Sequence, residues 1–418
     1  MKGKWFVLGC WTALLVLLTG AWTNGAAAPA QEVVIGYTAP LSGPAAEYGQ
    51  DCVNGVEMAI NEINKAGGIT VKGKKYVFRL EKLDDRIDPT QAVNNARRFR
   101  DQFKAPAIFN PVFNTIAPMM QINQEKGNEF IMMAYTSTPK VTAMKNKLLV
   151  AIPPNFEIYV QAFSDLAWGW GARKAAMVVT LGAYGDEWRA AFKKYWEKKG
   201  GTITADKPAN YYTETDFSAP LTAALATKPD VLLIGGPSAP TALVIEQARG
   251  LGYKGGFILI DQAKVDYIAH ILKGMKLMDD VIGVSAIANV PVPAAQSFDK
   301  KYTATYKRMN TWEAALHYTA MYALAKAMEA AGTVSDVYAI RAAFPKAFPL
   351  LGDKFPTEMF GISEAGRIHL AASVQTVKDG KYDKNDMYVW WVKSEKEVEQ
   401  IKKIGKTNVP LKFMKPVE

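Results

Sequence analysis

From Val33 onward, short β-branched runs alternate with stretches of helical periodicity, and this alternation restricts the fold more than any other feature of the chain. Strands that alternate with helices call for a parallel sheet covered on both faces, because each crossover must bring the chain back to the same end of the sheet. Val33-Val34-Ile35-Gly36-Tyr37 reads as a first buried strand, and the loop Pro40-Leu41-Ser42-Gly43-Pro44 follows it. Val53, Val56, Ile60 and Ile63 then share one helical face, which ends at Gly67-Gly68. After a strand over 76–83, Asp88-Pro89-Thr90-Gln91 supplies an N-cap, an N1 proline and an N3 glutamine. The helix behind it buries Ala92, Val93, Ala96, Phe99 and Phe103. A strand over 107–109, a helix over 116–125 and a strand over 130–134 continue the series, until Pro153-Pro154 breaks it.

A second α/β series opens at Asn155, with strands at 175–180, 231–234, 257–260 and 281–285. Helices are expected over 294–309, 312–331 and 334–343, and a hairpin of strands 368–377 and 387–392 turns around Asp379-Gly380-Lys381-Tyr382. A chain of 418 residues holds two or three domains. Two lobes of similar make-up point to a ligand cleft between them.

Residues 1–30 read as a cleaved secretory signal. Lys2 and Lys4 precede an apolar run over 5–18, and Ala28-Pro29-Ala30 fits a small-x-small cleavage site, making Gln31 the expected mature N-terminus. The run falls short of the roughly 20 residues needed to cross a bilayer. Taking thirty residues from 418 leaves 388, and taking Lys2 and Lys4 from 50 basic side chains leaves 48 against 40 acidic ones. This excess is scattered in doublets such as Lys193-Lys194 and Lys402-Lys403, without interleaved aromatic residues, so nucleic-acid and membrane binding are not expected. Cys52 alone remains as a thiol, and stability must come from burial.

Signs of catalysis are lacking. Gly68-Ile69-Thr70-Val71-Lys72-Gly73-Lys74-Lys75 spells the start of a P-loop, yet Lys75 replaces the Ser or Thr that reaches magnesium, and the stretch follows a helix and precedes a strand. Gly250-Leu251-Gly252-Tyr253-Lys254-Gly255 has the same inverted context, so both are read as surface turns. His270, His317 and His369 are scattered and read as structural, and neither metal nor cofactor is expected. Adjacent pairs such as Asp84-Asp85 point to opposite faces of a strand and make poor acid/base dyads.

The chain offers instead polar and aromatic residues just beyond strands: Ser42 and Tyr48, Asn114 and Thr115, Tyr135 to Thr138, Tyr184 and Asp186, and Asp261. Carboxyl ends of strands face the ligand crevice in open parallel sheets. Helix capping explains any one of these residues equally well, whereas their recurrence on both lobes favours a cleft site.

Ile35-Gly36-Tyr37-Thr38-Ala39-Pro40-Leu41-Ser42-Gly43-Pro44, with Tyr48-Gly49, Ala59-Ile60-Asn61-Glu62-Ile63-Asn64, Gly67-Gly68-Ile69 and Asp84-Asp85, closely resembles the opening of the branched-chain amino-acid type of periplasmic binding protein. Ala183-Tyr184-Gly185, Thr215-Asp216-Phe217-Ser218, Lys228-Pro229-Asp230-Val231 and Gly361-Ile362-Ser363 extend the likeness over nearly the whole mature chain. The resemblance implies a type I, two-lobed α/β fold with a mostly parallel sheet in each lobe and a three-crossing hinge near Pro153, Asn289 and Gly352. One lobe would comprise 31–153 and 289–352, the other 154–288 and 353–418. It further implies a monomeric, non-catalytic periplasmic receptor that delivers a small solute to the membrane permease of an ABC importer. Carried over by position, the ligand contacts are Tyr48, Asn114, Thr115, Thr136 and Ser137 on the first lobe and Tyr184 and Asp261 on the second, with Trp312 as a further wall. The loop Asn110-Pro111-Val112-Phe113-Asn114-Thr115 and Pro237 depart from the amino-acid-binding pattern.

Two ligand classes stay open. An α-amino acid needs hydroxyls and N–H groups for its carboxylate and an acidic side chain for its ammonium, a role open to Asp261. If Asp261 points away, the site suits an aromatic acid lacking an amine, walled by Phe113, Tyr135, Tyr184 and Trp312. A signalling sensor of the same fold, or a secreted hydrolase or transferase, are the remaining alternatives.

Overall fold

The computed structural model describes residues 1, 3, 30–43 and 45–415, so the expected leader and its cleavage site lie almost wholly outside the described residues. Among the described residues no helix is long and apolar enough to cross a membrane.

The first unit runs β1 (Gln31–Ala39), α1 (Ala46–Lys65), β2 (Ile69–Val71), β3 (Lys74–Asp84), α2 (Pro89–Phe103), β4 (Ala107–Asn110), α3 (Phe113–Ile122), β5 (Ile131–Ala134), α4 (Lys140–Ala143) and β6 (Leu149–Ala151). Its sheet has the order β2-β3-β1-β4-β5-β6, parallel except for the β2–β3 hairpin. The second unit follows with α5 (Phe156–Gly169), β7 (Lys174–Val179), α6 (Ala183–Lys198), β8 (Thr202–Asp206), α7 (Ser218–Leu225), β9 (Val231–Gly235), α8 (Ser238–Gly250), β10 (Gly256–Leu259), α9 (Val265–Ile271) and β11 (Val281–Val284). Then come α10 (Pro293–Tyr306), α11 (Trp312–Ala331), α12 (Val337–Ala343), the short pair β12 (Gly361–Ile362) and β13 (Ile368–His369), β14 (Ala372–Lys378), β15 (Lys381–Val389), α13 (Glu395–Ile404) and β16 (Leu411–Phe413). The second sheet is ordered β16-β15-β14-β11-β10-β9-β7-β8, with its β8-β7-β9-β10-β11 part parallel.

Local chemistry accounts for these elements. Asp88 caps α2 by accepting the Gln91 N–H at 2.8 Å, as its sequence box requires. The two hairpins close through Lys72-Gly73 (φ 47° and 78°) and Asp379-Gly380 (φ 50° and 68°), where positive φ at both positions gives the turn matched to strand twist. The P-loop-like stretch is therefore a hairpin, and Gly250 to Gly255 joins α8 to β10. On α1, Val53, Val56, Ile60 and Ile63 are buried. The helix lies so close to α11 that a Cβ on Gly55 would sit 2.1 Å from the Ala314 carbonyl oxygen.

The chain passes from the first sheet to the second through Ile152 to Asn155 and returns after β11. On the return, α10 and α11 pack on the first unit, and the Asn54 amide donates to the Tyr302 hydroxyl at 3.0 Å. Residues 353–369 stay there too. Thr357 donates to Thr319 at 3.1 Å, and Arg367 forms a parallel bridge with Ala151 at the edge of β6. The segment also touches the second unit, where Glu358 accepts from the Lys406 N–H at 2.7 Å and His369 stacks on Trp391, before the chain enters the second sheet at β14.

Candidate functional site

Within each sheet the strand order reverses beside the first strand, at β1/β4 and at β7/β9, and ligand crevices of open α/β sheets form outside such points. Here the carboxyl ends of both sheets enclose one cavity of about 40 Å³. Tyr48 from the start of α1, Pro111, Val112 and Phe113 after β4, and Tyr135, Thr136 and Ser137 after β5 line it from the first unit. Pro153 at the first crossing, Tyr184 on α6, Tyr212, and Asp261, Gln262 and Lys264 after β10 complete it.

A buried polar network fixes the first-unit loops. Asp85 accepts from the Thr38 hydroxyl at 3.0 Å, the Asn110 amide at 2.9 Å and the Ile87 N–H at 2.9 Å. Desolvation nonetheless raises its pKa to about 6. Asn110 in turn accepts from the Val112 N–H at 2.9 Å and the Thr115 hydroxyl at 2.8 Å, while Tyr48 donates to the Pro111 carbonyl at 3.0 Å. Arg367, only 3% exposed, donates to the carbonyls of Thr136 at 3.1 Å, Pro153 at 2.8 Å and Thr138 at 2.6 Å, tying the loop after β5 to the crossing. Burial lowers its pKa to about 10, which leaves it a cation at neutral pH.

On the opposite side Asp261 accepts from the Tyr184 hydroxyl and, at 2.8 Å, from the Trp188 indole N–H. Ser137 and Tyr184 hydroxyls meet across the cleft at 3.1 Å. Burial, then the Asp261 charge, push the Tyr184 phenol well above its ordinary range, so it stays a protonated donor. Lys264 caps the Asp261 carbonyl and pairs with Glu313 on α11 at 2.9 Å, their side chains 4% and 3% exposed. Deeper still, His317 packs against Tyr135 with ring centroids 4.7 Å apart, and burial lowers its pKa to about 3.

Of the residues expected from sequence, Tyr48, Thr136, Ser137, Tyr184 and Asp261 are brought together around this cavity. Three lie elsewhere. Asn114 is exposed in a neighbouring cleft with Leu181 and Gly182. Thr115 is buried, and its hydroxyl is turned to Asn110 Oδ1 and the Val112 carbonyl, away from the cavity. Trp312 is buried and donates to the Ser285 carbonyl at the second crossing. Gln262, Lys264 and Tyr212 escaped the sequence reading although the first two lie within three residues of Asp261, where the loop after a strand was signal enough. Arg367 had no local signal, being more than two hundred residues from the carbonyls it holds. Among the described residues no group of His, Cys, Asp and Glu forms a metal site.

The family model described as periplasmic binding protein matches residues 32–381, and the chain belongs to that family. A Leu/Ile/Val-binding protein, BraC3 of Rhizobium johnstonii, is 32% identical over 225 residues, 53% of this chain and 59% of that protein. A Leu/Ile/Val-binding protein homolog of Brucella melitensis is 30% identical over 54% of this chain and 60% of its own length, so the chain spans about three fifths of these relatives. The crystal structure of a leucine-binding protein, LivK, from Thermotoga maritima superposes with a TM-score of 0.71 at 25% identity, covering 84% of this chain and 97% of that one. The fold is thus the two-lobed type I arrangement, and homologues of the chain are substrate-binding proteins rather than enzymes.

Proposed function

We propose that the protein captures a small L-amino acid in the interlobe cavity and delivers it, as a periplasmic monomer, to the permease of an ABC importer. The observation that carries this reading is the state of Asp261. Its carboxylate is held by neutral donors, Tyr184 and Trp188, and forms no ion pair among the described residues. The nearby Lys264 ammonium is already matched by Glu313. A carboxylate in the cleft with no salt-bridge partner among the described residues offers its charge to a cation on the ligand. Hydroxyls of Thr136 and Ser137 on the facing loop suit the ligand carboxylate, with the Arg367 charge behind that loop adding to the attraction. The site charges of Asp261, Lys264, Glu313 and Arg367 cancel, which suits a zwitterion better than a net anion. Names of relatives that bind leucine, isoleucine and valine agree with this class.

A second reading has one observation in its favour. Rings of Tyr48, Phe113, Tyr135, Tyr184 and Tyr212 surround the cavity and suit an aromatic acid. A thermal-shift panel of L-amino acids and aromatic acids, with each hit recovered and identified by NMR, separates the possibilities. A receptor is stabilised by about 2.7 kcal/mol at a hundredfold excess over Kd and returns the ligand intact. Conversion of a stabilising ligand to product would overturn the receptor assignment.

A further inference from the structure

We propose that Gln262 is a specificity-determining residue that reads a hydrogen-bonding group, a hydroxyl, on the side chain of the bound amino acid; this rests on the amino-acid reading above. Gln262 lines the cavity beside Asp261, and its Oε1 is a buried acceptor without a partner among the described residues. Among the described residues its Nε2 reaches only the Tyr212 hydroxyl, at 3.5 Å. Turning the amide over changes which atom meets Tyr212 but still leaves one amide atom unmet. The neighbouring groups cannot help, since Lys264 is engaged by Glu313 and the Asp261 carbonyl, and the Asp261 carboxylate by Tyr184 and Trp188. Leaving such a group unpaired in a closed site is costly, and a site built around it rejects ligands that lack the matching group. A hydroxyl both donates and accepts, so it satisfies the amide in either orientation. For an aliphatic ligand the same position would want an apolar side chain.

The test uses isosteric pairs: threonine against valine, and serine against alanine, titrated calorimetrically into the full-length mature protein and into Gln262→Leu and Gln262→Met. The wild type is expected to bind the hydroxyl-bearing member about five- to a hundredfold more tightly. Both variants should bring the ratio to near one or invert it, mainly through a gain for the apolar member. Having two variants guards against one that misfolds. Equal or tighter wild-type binding of the apolar members, or a preference that persists in both variants, overturns the role of Gln262 and leaves the amino-acid reading standing. Binding of no amino acid, together with binding of an aromatic acid lacking an amine, overturns both.

Discussion

Replacing Asp261 by Asn removes one charge at nearly constant shape, and the outcome depends on what the ligand brings. In the unliganded protein the Asn oxygen can still accept from Tyr184 or Trp188, so folding should lose only about 1 kcal/mol. With an amino acid bound, the ligand ammonium loses its counter-charge. Breaking a fully buried pair costs about 3 to 5 kcal/mol. Asp261 is only half-buried, and solvent screening argues for the lower end, about 2 to 3 kcal/mol. That corresponds to a Kd roughly 30- to 150-fold weaker, readable by isothermal calorimetry with the best amino-acid hit, beside a urea titration that checks the fold. A change below about threefold with an amino-acid ligand would refute the placement of the ammonium on Asp261. Tighter binding of an aromatic acid by the variant would favour the second reading.

Further expectations concern the groups around the cavity. Lys264→Met should destabilise the fold by about 3 to 5 kcal/mol by stranding Glu313, whereas Lys264→Met with Glu313→Leu should recover most of the loss, as denaturant titration of both would show. Arg367→Met leaves the Thr136, Pro153 and Thr138 carbonyls without their donor and should cost about 3 kcal/mol or more in urea unfolding; Arg367→Lys should rescue little because one ammonium cannot reproduce the guanidinium fork. His317 is held at a pKa of about 3 in the fold against an ordinary 6.5, so the unfolded chain takes up its proton first as pH falls, and stability present above 6.5 is lost progressively towards 3. Wild type minus His317→Phe should therefore lose about 2 kcal/mol between pH 7 and pH 5, and a difference flat with pH would show that His317 is not buried neutral.

Much of the fold could be read from patterns a few residues long. The cap at Asp88, the apolar face of α1 and the turn at Asp379-Gly380 are local, and each formed where its chemistry asked. Boundaries were less legible. α3 begins at Phe113, three residues before the apolar periodicity, because its polar first turn is set by Asn110 and Val112. Strand ends pointed towards the cavity, which is lined by residues of the loops after β4, β5 and β10 and of the first turns of the helices after β1 and β7. What such a loop residue does there depends on distant partners. Thr115 is engaged by Asn110, and Trp312 by Ser285, while Lys264 reaches Glu313 only where the two units meet, and Arg367 reaches three carbonyls only once the returning chain has packed beside β6.

The proposed role of Asp261 requires a ligand that carries an amine. The direct measurement is the affinity of the wild-type protein for an L-amino acid and for the carboxylic acid of the same side chain lacking the amino group, titrated under identical conditions at low salt. An amine-bearing ligand should bind at least about a hundredfold more tightly, because Asp261 has a charge to match and the deaminated acid brings only a like charge. Equal or tighter binding of the deaminated acid would show that Asp261 does not receive a ligand ammonium.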